Sequence, residues 1–199
     1  LLSLATLLCA FGPLFAQPGP ADMLSAFRWR NIGPANQGGR IVDIEASEKD
    51  FTRVFLATAS GGVWKSVNAG NSWEPIFDRY ATASIGDIAL YAPNPDIIWV
   101  GTGEANNRNS VSWGNGVYKS TDGGKSFQHL GLEQTQQIAR VLTHPTDPNV
   151  AYVGAVGPLW GHTGQRGLFK TADGGKSWTK LGNGLPDDGR TGCTDLLMD

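Results

Sequence analysis

Cysteine is nearly missing from this chain, with two residues in 199, Cys9 and Cys193. Cys9 falls in an apolar leader-like stretch, so Cys193 stands alone in the remainder, and neither an internal disulfide framework nor a cysteine-based metal site is built into it. No histidine lies near Cys193 in sequence, which reads as an inert buried thiol. Histidine is scarce too: His129, His144 and His162 form no i, i+4 pair, so no metal and no cofactor is expected. Charge is thin and balanced, with 16 basic against 18 acidic residues and a net charge of -2. Lysine and arginine nowhere interleave with aromatics, which argues against a nucleic-acid partner. No Gly-x-Ser-x-Gly elbow accompanies the serines.

A long hydrophobic run occurs only at residues 1–16, short of the roughly 20 that span a bilayer. It reads as the core of a secretory signal whose basic beginning is missing, with Leu14-Phe15-Ala16 before Gln17-Pro18 as a cleavage site. Residues 17–26 read as a linker. The expected location is therefore secreted, periplasmic or cell-surface, of a bacterial kind, with no transmembrane span in the mature part. Both ends of the sequence look cut, Leu1 for want of a methionine and Asp199 inside a strand-like stretch.

What is plentiful is turn chemistry: 27 glycines and 11 prolines. Pro-rich turns at Ala92-Pro93-Asn94-Pro95-Asp96 and His144-Pro145-Thr146-Asp147-Pro148-Asn149 leave almost no room for helix. One eight-residue phrase recurs three times, at Ser66–Trp73, Ser120–Phe127 and Thr171–Trp178, with first residues 54 and then 51 positions apart. Such spacing marks a repeat protein. Each copy reads hydroxyl, any, Asp or Asn, any, Gly, any, Ser, aromatic, after an alternating pair such as Val117 and Tyr118. That pattern predicts a strand, a tight turn and a return strand. Ser66, Asn68, Gly70 and Trp73 form the first copy; Ser120, Asp122, Gly124 and Phe127 the second; Thr171, Asp173, Gly175 and Trp178 the third. The Asp or Asn oxygen accepts backbone N–H groups ahead of it, and the Gly takes a positive φ. Asn68 keeps the acceptor without the charge, which favours a structural role over a calcium site.

These boxes resemble the Asp-box (BNR-like) repeats of sialidase-like and sortilin-like β-propellers. The run from Trp29 to Asp199 resembles the start of large secreted bacterial proteins of the sortilin-type and xyloglucanase-like superfamily, often labelled glycosyl hydrolases. The resemblance implies an all-β chain, a β-propeller with four-stranded blades of the WD40/YVTN-like repeat kind, present as an N-terminal fragment over 27–199. Blades are expected over about 40–82, 84–132 and 138–182, with a fourth starting at Cys193. The first uses Arg40–Ala46, Arg53–Ala59, Gly62–Ser66 and Ser72–Phe77. The second uses Ser84–Tyr91, Ile97–Thr102, Gly116–Ser120 and Ser126–Gly131. The third uses Ile138–Thr143, Val150–Val156, Gly167–Thr171 and Ser177–Leu181. Phe27–Ile32 is a further candidate strand.

The link between second and third strands is short in the first repeat, Thr58-Ala59-Ser60-Gly61, and long in the next two, Gly103–Asn115 and Gly157–Arg166. The long links place Glu104, Arg108, Trp113, Trp160, His162 and Arg166 on one candidate ligand face. Exposed tryptophans beside polar groups suit a sugar ring or an extended peptide; the competing reading has Trp113 and Trp160 pinning their loops to the scaffold. Asp43 and Asp87 repeat one place on first strands, Asp195 recurs there, and Arg140 breaks the series. Acids repeated in that way read as strand tethers. In xyloglucanase-like enzymes a catalytic Asp precedes the Gly-Gly pair, and the matching residue here is Ala59, which transfers no proton.

No complete catalytic set is visible, and enzyme activity stays open. The leading expectation is a secreted Asp-box propeller that binds or scaffolds peptide, protein or polysaccharide. The alternatives are a glycoside hydrolase of the xyloglucanase-like type, with catalytic acids partly elsewhere, and a structural subunit of a cell-surface assembly.

Overall fold

A computed structural model describes residues 39–162 and 165–198. The expected signal segment at 1–16, the linker at 17–26 and the candidate strand Phe27–Ile32 lie outside the described residues.

Twelve strands follow in three consecutive sets of four. The first sheet comprises β1 (Ile41–Ser47), β2 (Asp50–Thr58), β3 (Val63–Ser66) and β4 (Glu74–Pro75). The second comprises β5 (Ile85–Leu90), β6 (Ile98–Thr102), β7 (Val117–Ser120) and β8 (Gln128–His129), and the third β9 (Ile138–Thr143), β10 (Ala151–Ala155), β11 (Gly167–Thr171) and β12 (Thr179–Leu181). Each sheet is an antiparallel meander in chain order. One 3-10 turn, Glu133–Thr135, is the sole helical element among the described residues.

The expected β-propeller is corrected by this topology: the described residues form three separate, open four-stranded sheets, and none closes or curls into a propeller arrangement. Repeat spacing and turn chemistry are local properties that dictate hairpins, whereas closure depends on long-range pairing that no local motif encodes. Ile41 and Ile44, exposed on β1, show one uncovered apolar flank. Cys193–Met198, expected to open a fourth repeat, is not a strand; the Cys193 N–H donates to Ala155 O at 2.9 Å.

Period-two alternation builds the packing between sheets. Phe55 and Val63 of the first sheet meet Ile85, Ile88, Ile98 and Val100 of the second, with Phe77, Tyr118 and Phe127 closing the layer edge to face. The opposite face of the second sheet sends Ala89, Trp99 and Val117 against Ile138, Val141 and Val153 of the third. β6 is therefore buried along its whole length, and its sequence, Ile-Trp-Val-Gly-Thr, has the continuous apolar character of a strand covered on both faces.

The repeated turns carry the side-chain bonds their composition demands. Ser120 Oγ donates to Asp122 Oδ1 at 2.8 Å and accepts from Gly124 N–H at 2.9 Å. Asp122 in turn accepts Ser126 N–H and Ser126 Oγ–H. Thr171, Asp173, Gly175 and Ser177 repeat this; in the first turn Asn68 Oδ1 likewise accepts from Ser66 Oγ and Ser72 N–H, but its amide nitrogen donates to Ser72 Oγ. Gly70, Gly124 and Gly175 have φ of 84°, 87° and 96°, a region where a Cβ is disfavoured. So much of each hairpin is spent on the turn that β4 and β8 shrink to two residues each.

Candidate functional site

Three β-bulges occupy one equivalent place in the three sheets. Ile41 pairs with Thr58 and Asp43 with Ala57, so Val42 is an extra residue on β1. Gly86 is extra on β5 and Ala139 on β9 by the same count. A bulge re-aims the side chain that follows it, and those that follow are Asp43, Asp87 and Arg140. Sequence alternation alone could not show this, because each bulge resets the period.

The re-aimed acids bridge sheets. Asp43 Oδ2 accepts Ile88 N–H at 3.4 Å, and Asp87 Oδ2 accepts Val141 N–H at 2.6 Å. The tether reading of the repeated acids is thus what the hydrogen bonds show. Arg140 breaks the series by donating through Nε to Asp195 at 2.8 Å and facing Asp87 Oδ1 with Nη1 at 3.4 Å.

Asp87 is 3% exposed, and that burial pushes its carboxyl up to about 8; the Val141 N–H opposes the shift, Asp43 adds to it, and Arg140 opposes it. The guanidinium is too distant and too engaged with Asp195 to offset the lost hydration. Glu45 rises to about 7, through burial first and Asp43 second. Asp195 is held below its ordinary value by the Arg140 hydrogen bond. One patch therefore holds carboxyls of both protonation states near neutrality.

Beside this patch lies a cavity of about 350 Å³ whose wall includes all three bulge residues. Its polar lining comes from Asp87, Arg140, Asn106, Asn107 and Thr194.

The long loops hold the remaining candidates, and the structure divides them. Glu104 is buried; its N–H donates to Ser84 Oγ at 3.0 Å and its carboxylate pairs with Arg40. Arg166 is buried as well, its guanidinium gathering the carbonyls of Val156, Pro158 and Gly161 within its own loop. Both residues thus shape loops. Arg108 and His162 are exposed, and Trp113 and Trp160 are 66% and 67% exposed. Neither tryptophan pins its loop. Polar bonds do that for the first of them: Thr82 Oγ1 donates to Trp113 O, Ser84 Oγ to Ser112 O, and Gly114 N–H to Gln136 O. Trp113 is therefore a ring in solvent on a fixed backbone.

Ala59 is buried, and its N–H donates to Arg40 O at 2.8 Å. Gly103 and Val156 make the equivalent bonds to Ser84 O and Gln137 O, so that place carries no acid in any of the three sheets. Two histidines make local backbone contacts: His129 Nε2 lies 2.7 Å from Asn115 O, and His144 Nδ1 accepts Thr146 and Asp147 N–H groups. Among the described residues no three His, Cys, Asp or Glu side chains are placed to hold a metal ion, and no helix is long and apolar enough to cross a membrane.

No protein-family model matches the chain. A curated xyloglucanase of Hypocrea jecorina (strain QM6a) is 26% identical over 183 residues, which is 82% of this chain and 21% of that protein. The chain thus spans about a fifth of the length of that relative. Among solved structures, an ancestral GH74 enzyme matches with a TM-score of 0.56 at 22% identity, covering 71% of this chain and 18% of that one. The GH74 enzyme of Niastella koreensis matches at 16% identity with a TM-score of 0.41, over 71% of this chain and 29% of that one. The sheet topology and the match to the ancestral GH74 enzyme correct the leading expectation from sequence. The fold is like part of a GH74 enzyme, and the described residues form neither an Asp-box propeller scaffold nor a sortilin-like or WD40-like architecture.

Proposed function

We propose that the chain contributes to a carbohydrate-active protein of the xyloglucanase-like type, a glycoside hydrolase acting on a β-glucan-like polysaccharide, with the expected leader directing it outside the cell. The observation that carries this reading is the pair of solvent-facing tryptophans, Trp113 and Trp160, on the corresponding long loops of the second and third sheets. A flat apolar ring with polar neighbours matches the alternating CH and OH faces of a pyranose. The sequence likeness to the Hypocrea jecorina xyloglucanase supports the same ligand class.

Glycoside hydrolysis uses two carboxyl groups flanking the scissile bond, one protonated and one ionised. Asp87 meets the protonation requirement but is spent on Val141, and Ala59 provides no acid. The described residues accordingly supply sugar contacts, and an acid pair is completed elsewhere in the protein. The test is incubation of the full-length protein with soluble polysaccharides, xyloglucan included, following retention and release of reducing ends. Expected are both signals for a β-glucan, with retention at least about tenfold weaker in W113A/W160A, the loss of two stacking contacts of roughly 1 kcal/mol each. Neither retention nor cleavage on any glycan would overturn the reading.

A further inference from the structure

The cavity at the three bulges is a feature that the tryptophan surface does not explain. A bulge costs ladder hydrogen bonds, and here it recurs three times at one place, each time putting its extra residue into the same cavity wall. Two of the three extra residues, Gly86 and Ala139, are small, and at Gly86 a Cβ would meet the Ile138 and Gly103 carbonyls, so the backbone of the next sheet closes up behind the cavity wall. Bulges of this kind collect next to binding sites because they re-aim side chains there.

The groups facing the cavity select a chemistry. An anion would meet Asp87 directly, with Asp43, Glu45 and Asp195 close behind it, against the single cation Arg140. A cation would have to compete with Arg140 for Asp87 and Asp195. A neutral ligand rich in hydroxyl groups fits both constraints. Asn106 and Asn107 each offer two donors and one acceptor, Thr194 one hydroxyl and Arg140 donors, while Asp87, engaged with Val141 and Arg140, holds Arg140 at the wall. A cavity of about 350 Å³ stands at the small end of ligand pockets, which begin near 300 Å³, and so takes one sugar ring rather than a chain. Asn106 and Asn107 also sit on the loop that carries Trp113, so the cavity and the tryptophan surface share one support.

We propose that this cavity is a binding site for a single neutral sugar unit, separate from the tryptophan surface. The proposal rests on the carbohydrate reading above and adds a place where one ring is gripped by its hydroxyl groups.

The test uses the full-length protein and two probes, D-glucose and D-xylose, titrated by calorimetry and by ligand-observed saturation-transfer spectroscopy. Saturable one-site binding of at least one probe is expected. N106A/N107A alters two exposed side chains and leaves the melting temperature unchanged, and it is expected to weaken that binding at least tenfold. W113A/W160A leaves it unchanged. Absence of saturable binding to either sugar, or equal binding by wild type and N106A/N107A, overturns the site. Failure of the broader reading looks different: no polysaccharide is retained or cleaved, whatever the monosaccharides do. Polysaccharide retention without a monosaccharide signal removes the cavity site alone.

Discussion

Asp87 must be an acceptor and is buried where a charge is costly. The hydrogen bond from Val141 fixes the first requirement and the burial the second. Its raised pKa means that between the ordinary carboxylate range, near 4, and about 8 the folded chain keeps a proton that the unfolded chain has lost. Stability therefore falls as pH rises through that window. Asp87→Asn keeps an acceptor oxygen without the charge, so its unfolding free energy is expected to be flatter than wild type between pH 5 and pH 9 in parallel denaturant titrations. Asp87→Ala leaves Val141 N–H buried and unpaired and is expected to lose about 1–3 kcal/mol at low pH. A wild-type curve no steeper than that of Asp87→Asn would show that the carboxyl is solvated.

Each hairpin turn is organised by one hydroxyl whose oxygen accepts from the glycine four residues on. Ser120→Ala strands the buried Gly124 N–H and is expected to cost about 1–3 kcal/mol, while Asn68→Asp, which only exchanges an amide for the carboxylate of the other two turns, should stay within about 0.5 kcal/mol. Thermal melts of both variants check the contrast. These turns were legible in the sequence because their chemistry is local. The acid tethers were legible too, from Asp43 and Asp87 repeating one place. The bulges that aim those acids were not, since an inserted Val42, Gly86 or Ala139 looks like any other strand residue and is revealed only by the partner strand's register. Among the loop residues, Trp113 and Trp160 kept the solvent exposure that a binding role needs. Glu104 and Arg166 turned inward, to Arg40 and to loop carbonyls that composition cannot identify in advance. Closure was misread for a similar reason, because three well-marked hairpins say nothing about how the sheets they belong to meet.

Among the described residues the two buried apolar layers join the sheets in succession, the first with the second through Phe55 and Ile98 and the second with the third through Trp99 and Val153. Stability in such stacks is a sum of units and neighbour interfaces. The central sheet, covered on both faces, is expected to exchange its amide hydrogens most slowly, led by Trp99 and Val100, with β4 and β12 fastest. Uniform protection across all three sheets in native-state exchange would contradict this. The tethers also have a direction. Ile88 follows Asp43 by 45 residues and Val141 follows Asp87 by 54, so on a ribosome each carboxylate is made well before the N–H that will satisfy it. Each tether is thus an acceptor that precedes its donor in the chain, and Arg140, reaching forward to Asp195 and back to Asp87, is where a cation takes that place.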